Sequence, residues 1–376
     1  MSQVSFKPVG LDRARLRALM AERGLDGLLL SSPENVFYTT GYPALPSSRN
    51  PIIYALHNQL PCFAFASQEG TITLLAWGGA AMGIDYGADD VRMIFSRDMA
   101  VAELASLGAE VLRAGYTLGI ESTLPYYAYD VLQHHDPPPQ LVIADDVLQR
   151  LRLIKTAAEV DRMRKSTSIV DETLLELVQT LRLGMSRLEL IQEAKFRLLR
   201  NGADGVDHIT VAFGSANPEV ALDERLERNQ IVTLDLGAVY EGYVSDNRRL
   251  AYTGAVPAAL KELHGKMCWV VAEMGRSLRP GCTFSELHAR AFELYAAVGL
   301  EPMFLHAGHS MGLEVEEGWI LADDPTPVQP GMVLNIELYS PSEEGVMIGD
   351  EETFLVTDGE PEKLSSLPVD IIERSL

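Results

Sequence analysis

Basic residues are scarce in this chain: 31 Lys+Arg stand against 53 Asp+Glu, a formal charge of −22 over 376 residues. A surface of that sign repels phosphate backbones and anionic lipid, and no local basic patch offsets it. Nucleic acid and membranes are therefore excluded as main partners, leaving metal cations and small molecules. Cysteine is also scarce. Cys62, Cys268 and Cys282 are odd in number, far apart and in no Cys-x-x-Cys pairing, so they read as buried free thiols. No apolar run approaches the roughly 20 residues that span a bilayer. The start, MSQVSFKPVGLDRARLRAL, has no basic segment followed by an apolar stretch and a small-residue cleavage site, so the expected location is the cytoplasm. The hydrophobic fraction, 47%, is enough to fill two cores, and the length is about two domains' worth.

Leu16, Leu19 and Met20 at i, i+3, i+4 predict a helix over 11–23 that stops at Gly24 and feeds a buried strand at Leu28–Leu30. The runs Ile52–Leu56, Phe63–Ala66, Thr71–Trp77 and Leu141–Ala144, separated by turn residues and by Pro137–Pro138–Pro139, are further strand candidates. These elements predict an α/β domain over residues 1–154. From about Ala158 the spacing of Val160, Met163, Thr167, Val170, Leu174 and Leu177 predicts one long amphipathic helix. The domain boundary therefore falls near Lys155, with a second domain over 155–376.

The second half repeats itself. Leu181-Arg-Leu-Gly-Met-Ser186 leads to Glu189-Leu190 and Gly202, and Leu278-Arg-Pro-Gly-Cys-Thr283 leads to Glu286-Leu287 and Gly299, an offset of 97 throughout (278 − 181). Ser186 and Thr283 are predicted to cap helices, each with a glutamate three residues on and a glycine at the far end. Each copy then carries an acid inside an apolar strand, Asp235 in Ile-Val-Thr-Leu-Asp-Leu and Glu337 in Val-Leu-Asn-Ile-Glu-Leu.

A two-residue turn at Tyr240–Glu241 would place Asp235 opposite Asp246, and a turn centred at Glu344 would place Glu337 opposite Glu351. Like charges across a strand pair repel, and burying each costs several kcal/mol, so four acids in apolar strands call for a compensating cation. His309, in His306-Ala-Gly-His309-Ser-Met-Gly-Leu-Glu-Val-Glu316, adds one imidazole. That donor set suits Mn²⁺, Fe²⁺, Co²⁺ or Zn²⁺. Bridging carboxylates hold two such ions on the order of 3.5–4 Å apart, an arrangement that hydrolyses amides. Each of these residues also has a plainer reading: a solvent-facing acid for Asp235 and Glu337, a turn residue for Asp246, a satisfied loop imidazole for His309. The matching places of Asp235 and Glu337 in a repeat weigh against it, as do the expected register of Asp246 opposite Asp235 and the company in which His309 stands.

At these residues the chain resembles the pita-bread metallopeptidases, the family of aminopeptidase P, prolidase and methionine aminopeptidase, with creatinase as a metal-free relative. The stretch Arg17–Gly41, ending Ser-Ser-Pro-Glu-Asn-Val-Phe-Tyr-Thr-Thr-Gly, is similar to the start of a creatinase-type N-terminal domain. The Asp-x-Gly strand, the Gly-Tyr-x-Ser-Asp segment, the Gly-His loop, the Pro-Gly-Met-Val-Leu-x-Ile-Glu strand and a final acid before Thr-Phe-Leu-Val-Thr match in order. The resemblance implies an α+β protein with a pseudo-twofold catalytic domain, and a homodimer. It also implies two divalent ions (Mn, Co, Zn or Fe) on Asp235, Asp246, His309, Glu337 and Glu351. Asp246 and Glu351 are expected to bridge, and Glu337 to accept a proton, with a small peptide or peptide-like compound as substrate.

The departures fall in the substrate shell. The stretch Gly214–Asp223 lacks the family's usual histidine, Glu316 stands where a second is usual, and Val346-Met-Ile replaces the stretch that often carries an arginine. Arg248 takes the place of a threonine, Glu351-Glu352-Thr353 replaces Glu-Asp-Thr, and Gly349-Asp350 precedes it. His306 or His208 is then a candidate donor to the oxyanion, and Glu316 a candidate proton acceptor or cation-binding group. Two other readings share the scaffold: a non-peptidase relative, either a creatinase-like hydrolase or a metal-dependent lyase, and an inactive binding protein.

Overall fold

The computed structural model describes residues 4–217, 220 and 223–376. The chain forms two compact units, Met1–Arg152 and Leu153–Leu376. In the first, α1 (Arg13–Glu22) is capped by Asp12, whose side chain accepts from the amides of Ala14 and Arg15, and Gly24 follows at φ +64°. The helix buries Leu16, Leu19 and Met20. A six-stranded mixed sheet runs in the order β4-β3-β2-β1-β5-β6, where β1 is Gly27–Leu30, β2 Phe63–Ser67, β3 Ile72–Trp77, β4 Asp90–Ile94, β5 Thr117–Ile120 and β6 Gln140–Ile143. The expected strand at Ile52–Leu56 is instead a one-turn helix, Ile52–Ala55, of which only Ile53 is buried. Five apolar residues with Pro51 ahead of them do not distinguish the two states, because periodicity is unreadable over so short a run.

The second unit begins with α2 (Ala157–Thr180), in which all six predicted face residues from Val160 to Leu177 are buried. Thr156 and Glu159 close a capping box at its start. The same box recurs at α3 (Arg187–Arg200) with Ser186 and Glu189, and at α5 (Phe284–Val298) with Thr283 and Glu286. Each satisfies two otherwise orphaned backbone donors. The long helix α4 (Ala258–Ser277) lies between the two copies in sequence.

A ten-stranded sheet is the frame of this unit. Its main path is β9-β8-β10-β14-β13-β11-β12, with β7 also paired to β8. These are β7 Gly205–Phe213, β8 Ile231–Tyr240, β9 Tyr243–Val244, β10 Asn247–Tyr252, β11 His309–Ser310, β12 Gly318–Trp319, β13 Val333–Glu337 and β14 Glu351–Leu355. Because side chains alternate along a strand, Leu234, Leu236 and Ala238 of β8 pack under α2 and α3, while Leu334 and Ile336 of β13 pack under α4 and α5. One face of the sheet is thus closed by helices. Asp235 and Glu337, of opposite parity, project from the other face. Among the described residues, no helix is long and apolar enough to cross a membrane.

Candidate metal centre

The strand registers build a row of charge across the sheet. Asp235 pairs with Arg248, Arg248 with Glu351, and Glu351 with Glu337. The expected pairing of Glu337 with Glu351 is thus observed. The pairing of Asp235 with Asp246 is not, because the turn forms at Glu241–Gly242, with Tyr240 opposite Tyr243. Both turn residues have positive φ, 48° and 89°, the conformation that two-residue hairpins need and that glycine accepts most readily. Every partner is displaced by two residues, which preserves the face.

One pleat along the same face lie Asp246, Asn335 and His309. Asp246 is the hub. Its Oδ2 accepts from Asn335 Nδ2 at 2.9 Å and is 3.5 Å from His309 Nε2. Its Oδ1 is 3.3 Å from His208 Nε2, which also lies 3.3 Å from Asp235 Oδ1. His309 Nε2 is 3.8 Å from Glu337 Oε2, and the Tyr339 hydroxyl donates to Glu351 Oε1. The five residues expected to ligate are therefore brought together. The glycine of the Asp-x-Gly strand has a steric reason: a Cβ on Gly237 would come within 2.5 Å of the His208 ring.

Electrostatics follow from burial and mutual repulsion. Burial pushes the Glu337 carboxyl up to about 7; His309 and Arg248 oppose the rise while Asp246 and Asp235 add to it. Burial and the three neighbouring carboxylates hold Glu351 well above the ordinary range, and burial raises Asp235 as well. Burial works against the charge on Asp246 too, but His208 and His309 hold its carboxyl well below that range. Without an added cation the cluster thus sets three carboxyls biased toward their protonated forms, Asp235, Glu337 and Glu351, around an ionised Asp246, with two imidazoles and one guanidinium among them. A divalent ion displaces such protons. The donors fit it: carboxylates and an imidazole converge around Asp246, whose Oδ1 is buried, and oxygen-rich ligation with one imidazole is what Mn²⁺, Co²⁺, Zn²⁺ or Fe²⁺ accepts.

The remaining predicted residues divide. His306 stacks on Phe304 and tilts against Trp319, which His309 also meets edge-on. Burial, with His309 and His288, lowers its pKa to about 4, so it is neutral near pH 7. Glu316 is exposed and forms no hydrogen bond or ion pair with the cluster; its neighbour Glu317 is the more covered, its side chain 8% exposed and 3.2 Å from Lys155 Nζ. Part of Gly214–Asp223 lies outside the described residues. His208 and Arg248 were assigned no fixed role from sequence, yet both touch or face the acids. Arg248 is 1% exposed, donates to the Met347 carbonyl at 2.8 Å and lies 4.3 Å above the Tyr339 ring. Of the three thiols only Cys62 is fully buried.

Carboxylates and imidazoles gathered on one open sheet face, over a helix-covered pseudo-twofold frame, define a metal-dependent hydrolase. A model described as Metallopeptidase family M24 matches residues 161–358, and one described as Creatinase/Prolidase N-terminal domain matches residues 13–154. The chain is 32% identical over 265 residues to the Xaa-Pro dipeptidase of Pyrococcus furiosus, covering 68% of this chain and 75% of that one. It is 27% identical over 373 residues to an uncharacterised peptidase of Bacillus subtilis, covering 95% and 98%. Among solved structures, the prolidase from Pyrococcus horikoshii OT3 superposes with a TM-score of 0.81 at 25% identity, over 96% of this chain and 99% of that one. The chain belongs to metallopeptidase family M24 and carries the creatinase/prolidase N-terminal domain. The expected α+β pita-bread fold and metal-dependent hydrolase class are borne out.

Proposed function

We propose that this chain is a dinuclear peptidase of the Xaa-Pro dipeptidase or aminopeptidase kind, acting on short peptides in the cytoplasm as a homodimer. Residues 1–154 form its N-terminal domain and 155–376 its catalytic domain. Asp235, Asp246, His309, Glu337 and Glu351 would hold two divalent ions, drawn from Mn²⁺, Co²⁺, Zn²⁺ and Fe²⁺. The observation that carries the reading is the meeting of these five groups on one sheet face.

When bound, the ions supply Lewis-acid polarisation of the scissile carbonyl and an activated water. Asp246, which meets His208, His309 and Asn335, and Glu351, which pairs with Glu337, would be among the ligands of the ions. Glu337 accepts the proton released on attack and passes it to the leaving amine. His306, held uncharged beside Trp319, is a hydrogen-bond donor for the developing oxyanion. Support for the homodimer comes from Met303, Phe304 and Leu305, which are 42%, 38% and 79% exposed immediately before His306.

Elemental analysis after Mn²⁺ loading tests the site, with Asp246→Ala in parallel and turnover of X-Pro dipeptides against a panel of non-proline amides. The expected result is close to two ions per chain, both activity and ions being lost in the variant. Absence of bound metal under any loading would overturn the reading.

A further inference from the structure

Asp350 precedes Glu351 and, by the alternation of β14, belongs to the opposite, helix-covered side of the sheet. Beneath it runs α4, which presents His264 and Cys268 one turn apart at i and i+4. The three side chains converge. Cys268 Sγ is 3.0 Å from Asp350 Oδ2 and 3.6 Å from His264 Nε2, while His264 Nε2 is 3.3 Å from Asp350 Oδ2. Asp350 is completely buried and His264 is 4% exposed. None of the three has a place in the hydrolytic mechanism.

These spacings are close to the edges of a tetrahedron around one small ion. Ligand lengths of ~2.3 Å to sulfur, ~2.05 Å to imidazole nitrogen and ~2.1 Å to carboxylate oxygen give edges of about 3.6 Å for sulfur to nitrogen and about 3.4 Å for nitrogen to oxygen. The observed 3.6 and 3.3 Å fit both. The third edge, 3.0 Å, is a thiol-to-carboxylate hydrogen bond that opens by about 0.6 Å when the thiol proton leaves to solvent and sulfur ligates. A fourth ligand has room: a cavity of about 340 Å³ is lined by Cys268, Asp350, Gly275 and Phe354. Another carboxylate of its lining, Glu352, is committed to Arg249 at 2.7 Å and Lys363 at 3.2 Å.

We propose that His264, Cys268 and Asp350 form a separate site for one zinc-type divalent ion, with its fourth position open to this cavity. The site differs in chemistry from the oxygen-rich cluster across the sheet. Sulfur and nitrogen donors favour Zn²⁺ or Co²⁺ over Mn²⁺, so the two faces sort metals by softness. Because Asp350 and Glu351 are consecutive, the ion also fixes the start of β14 from below and so positions Glu351.

Cobalt reads the site directly, since none of the five residues of the oxygen-rich cluster offers sulfur. Full-length protein titrated with Co²⁺ alone is expected to show a near-ultraviolet sulfur-to-cobalt charge-transfer band and close to three ions per chain, against two with Mn²⁺. Cys268→Ser removes the band and one Co²⁺ while Mn²⁺-supported peptidase activity persists. Asp246→Ala keeps the band, and so do Cys62→Ser and Cys282→Ser. His264→Ala, checked for folding by circular dichroism, weakens Co²⁺ binding at this site at least tenfold and serves if Cys268→Ser does not fold. No band in Co²⁺-loaded protein, or a band that survives Cys268→Ser, overturns the proposal whether or not the chain proves to be a peptidase.

Discussion

Arg248 sets a guanidinium among the acids of the cluster. Its guanidinium stands in register between Asp235 and Glu351, is 1% exposed, and leaves Nε without a hydrogen-bond partner. A fixed cation among four carboxylates stabilises the metal-free chain and opposes the entry of further positive charge. Arg248→Thr is therefore expected to destabilise the metal-free protein by about 3 kcal/mol, the usual scale for removing one partner of a buried charge group. The same change tightens the weaker Mn²⁺ step by tenfold or more, about 1.4 kcal/mol. Calorimetric titration with Mn²⁺ and thermal melts with and without the ion check both signs; an unchanged second affinity would remove Arg248 from the charge balance. Glu337 gives a pH signature. With its carboxyl pushed up to about 7 from 4.5, the folded metal-free chain binds a proton that the unfolded chain lacks between those values. Stability therefore falls as pH rises through that window. Glu337→Gln mimics the protonated form, so metal-free variant and wild type have equal stability below about pH 4.5. The variant becomes more stable by on the order of 2–3 kcal/mol above pH 7. His306, whose pKa is lowered to about 4, has the opposite pH dependence, but it is common to both proteins and cancels in the difference. Urea midpoints at pH 4.5, 6 and 8 measure the gap, and a gap that does not grow with pH refutes the assignment. With metal present the order reverses, because the variant has lost a ligand.

At the scale of elements, two-residue periodicity decides the centre, and this explains how much of it was legible in the sequence. The repeat of capping box, helix and acid-bearing strand is local, so α3, α5, β8 and β13 follow from spacing alone. The β8 hairpin register differs by two from the one a Tyr240–Glu241 turn implies, because Glu241 rather than Tyr240 opens the turn. The difference leaves all the acids on the correct face, since only an odd shift would have reversed it. His208 and Arg248 were harder to place. Each is brought to the acids by strand pairing across the sheet, and no short-range pattern marks a histidine in β7 or an arginine in β10 as facing a carboxylate. A usable signal did exist for His208, in the Gly237 of the Asp-x-Gly strand, whose missing Cβ makes room for the ring. Glu316 lies exposed in a run of acids in which Glu317 is the member that reaches a lysine, Lys155, and sequence does not say which of them turns inward. The Gly-His loop offers the element-scale test. Gly308 sits at φ +124°, and a Cβ there would run into the Asn335 carbonyl oxygen. Gly308→Ala thus strains the backbone and pushes β11 away from β13, taking His309 from Asp246. The expected cost exceeds about 2 kcal/mol in urea unfolding, with Mn²⁺ content falling below that of wild type. Wild-type stability and metal content would show that the loop relaxes without moving the imidazole.

At the scale of the whole molecule, charge and the exposed apolar loop act against each other. Each chain carries −22, so two copies repel at long range. Met303, Phe304 and Leu305 offer them an apolar contact that salt does not weaken. Raising the ionic strength shortens the screening length from about 30 Å at 0.01 M to about 8 Å at 0.15 M, which removes repulsion and leaves burial. The proposed homodimer should therefore tighten with salt, the reverse of an interface held by surface ion pairs. Sedimentation velocity across that salt range is expected to show the dimer fraction rising. Leu305→Asp should keep the chain monomeric throughout, because it places a further negative charge in the patch itself. Metal loading adds positive charge to each copy and is expected to strengthen dimerisation further at low salt, where repulsion is least screened. A dimer that dissociates as salt rises, or one indifferent to Leu305→Asp, would locate the interface elsewhere on the molecule and separate it from the loop that leads into His306.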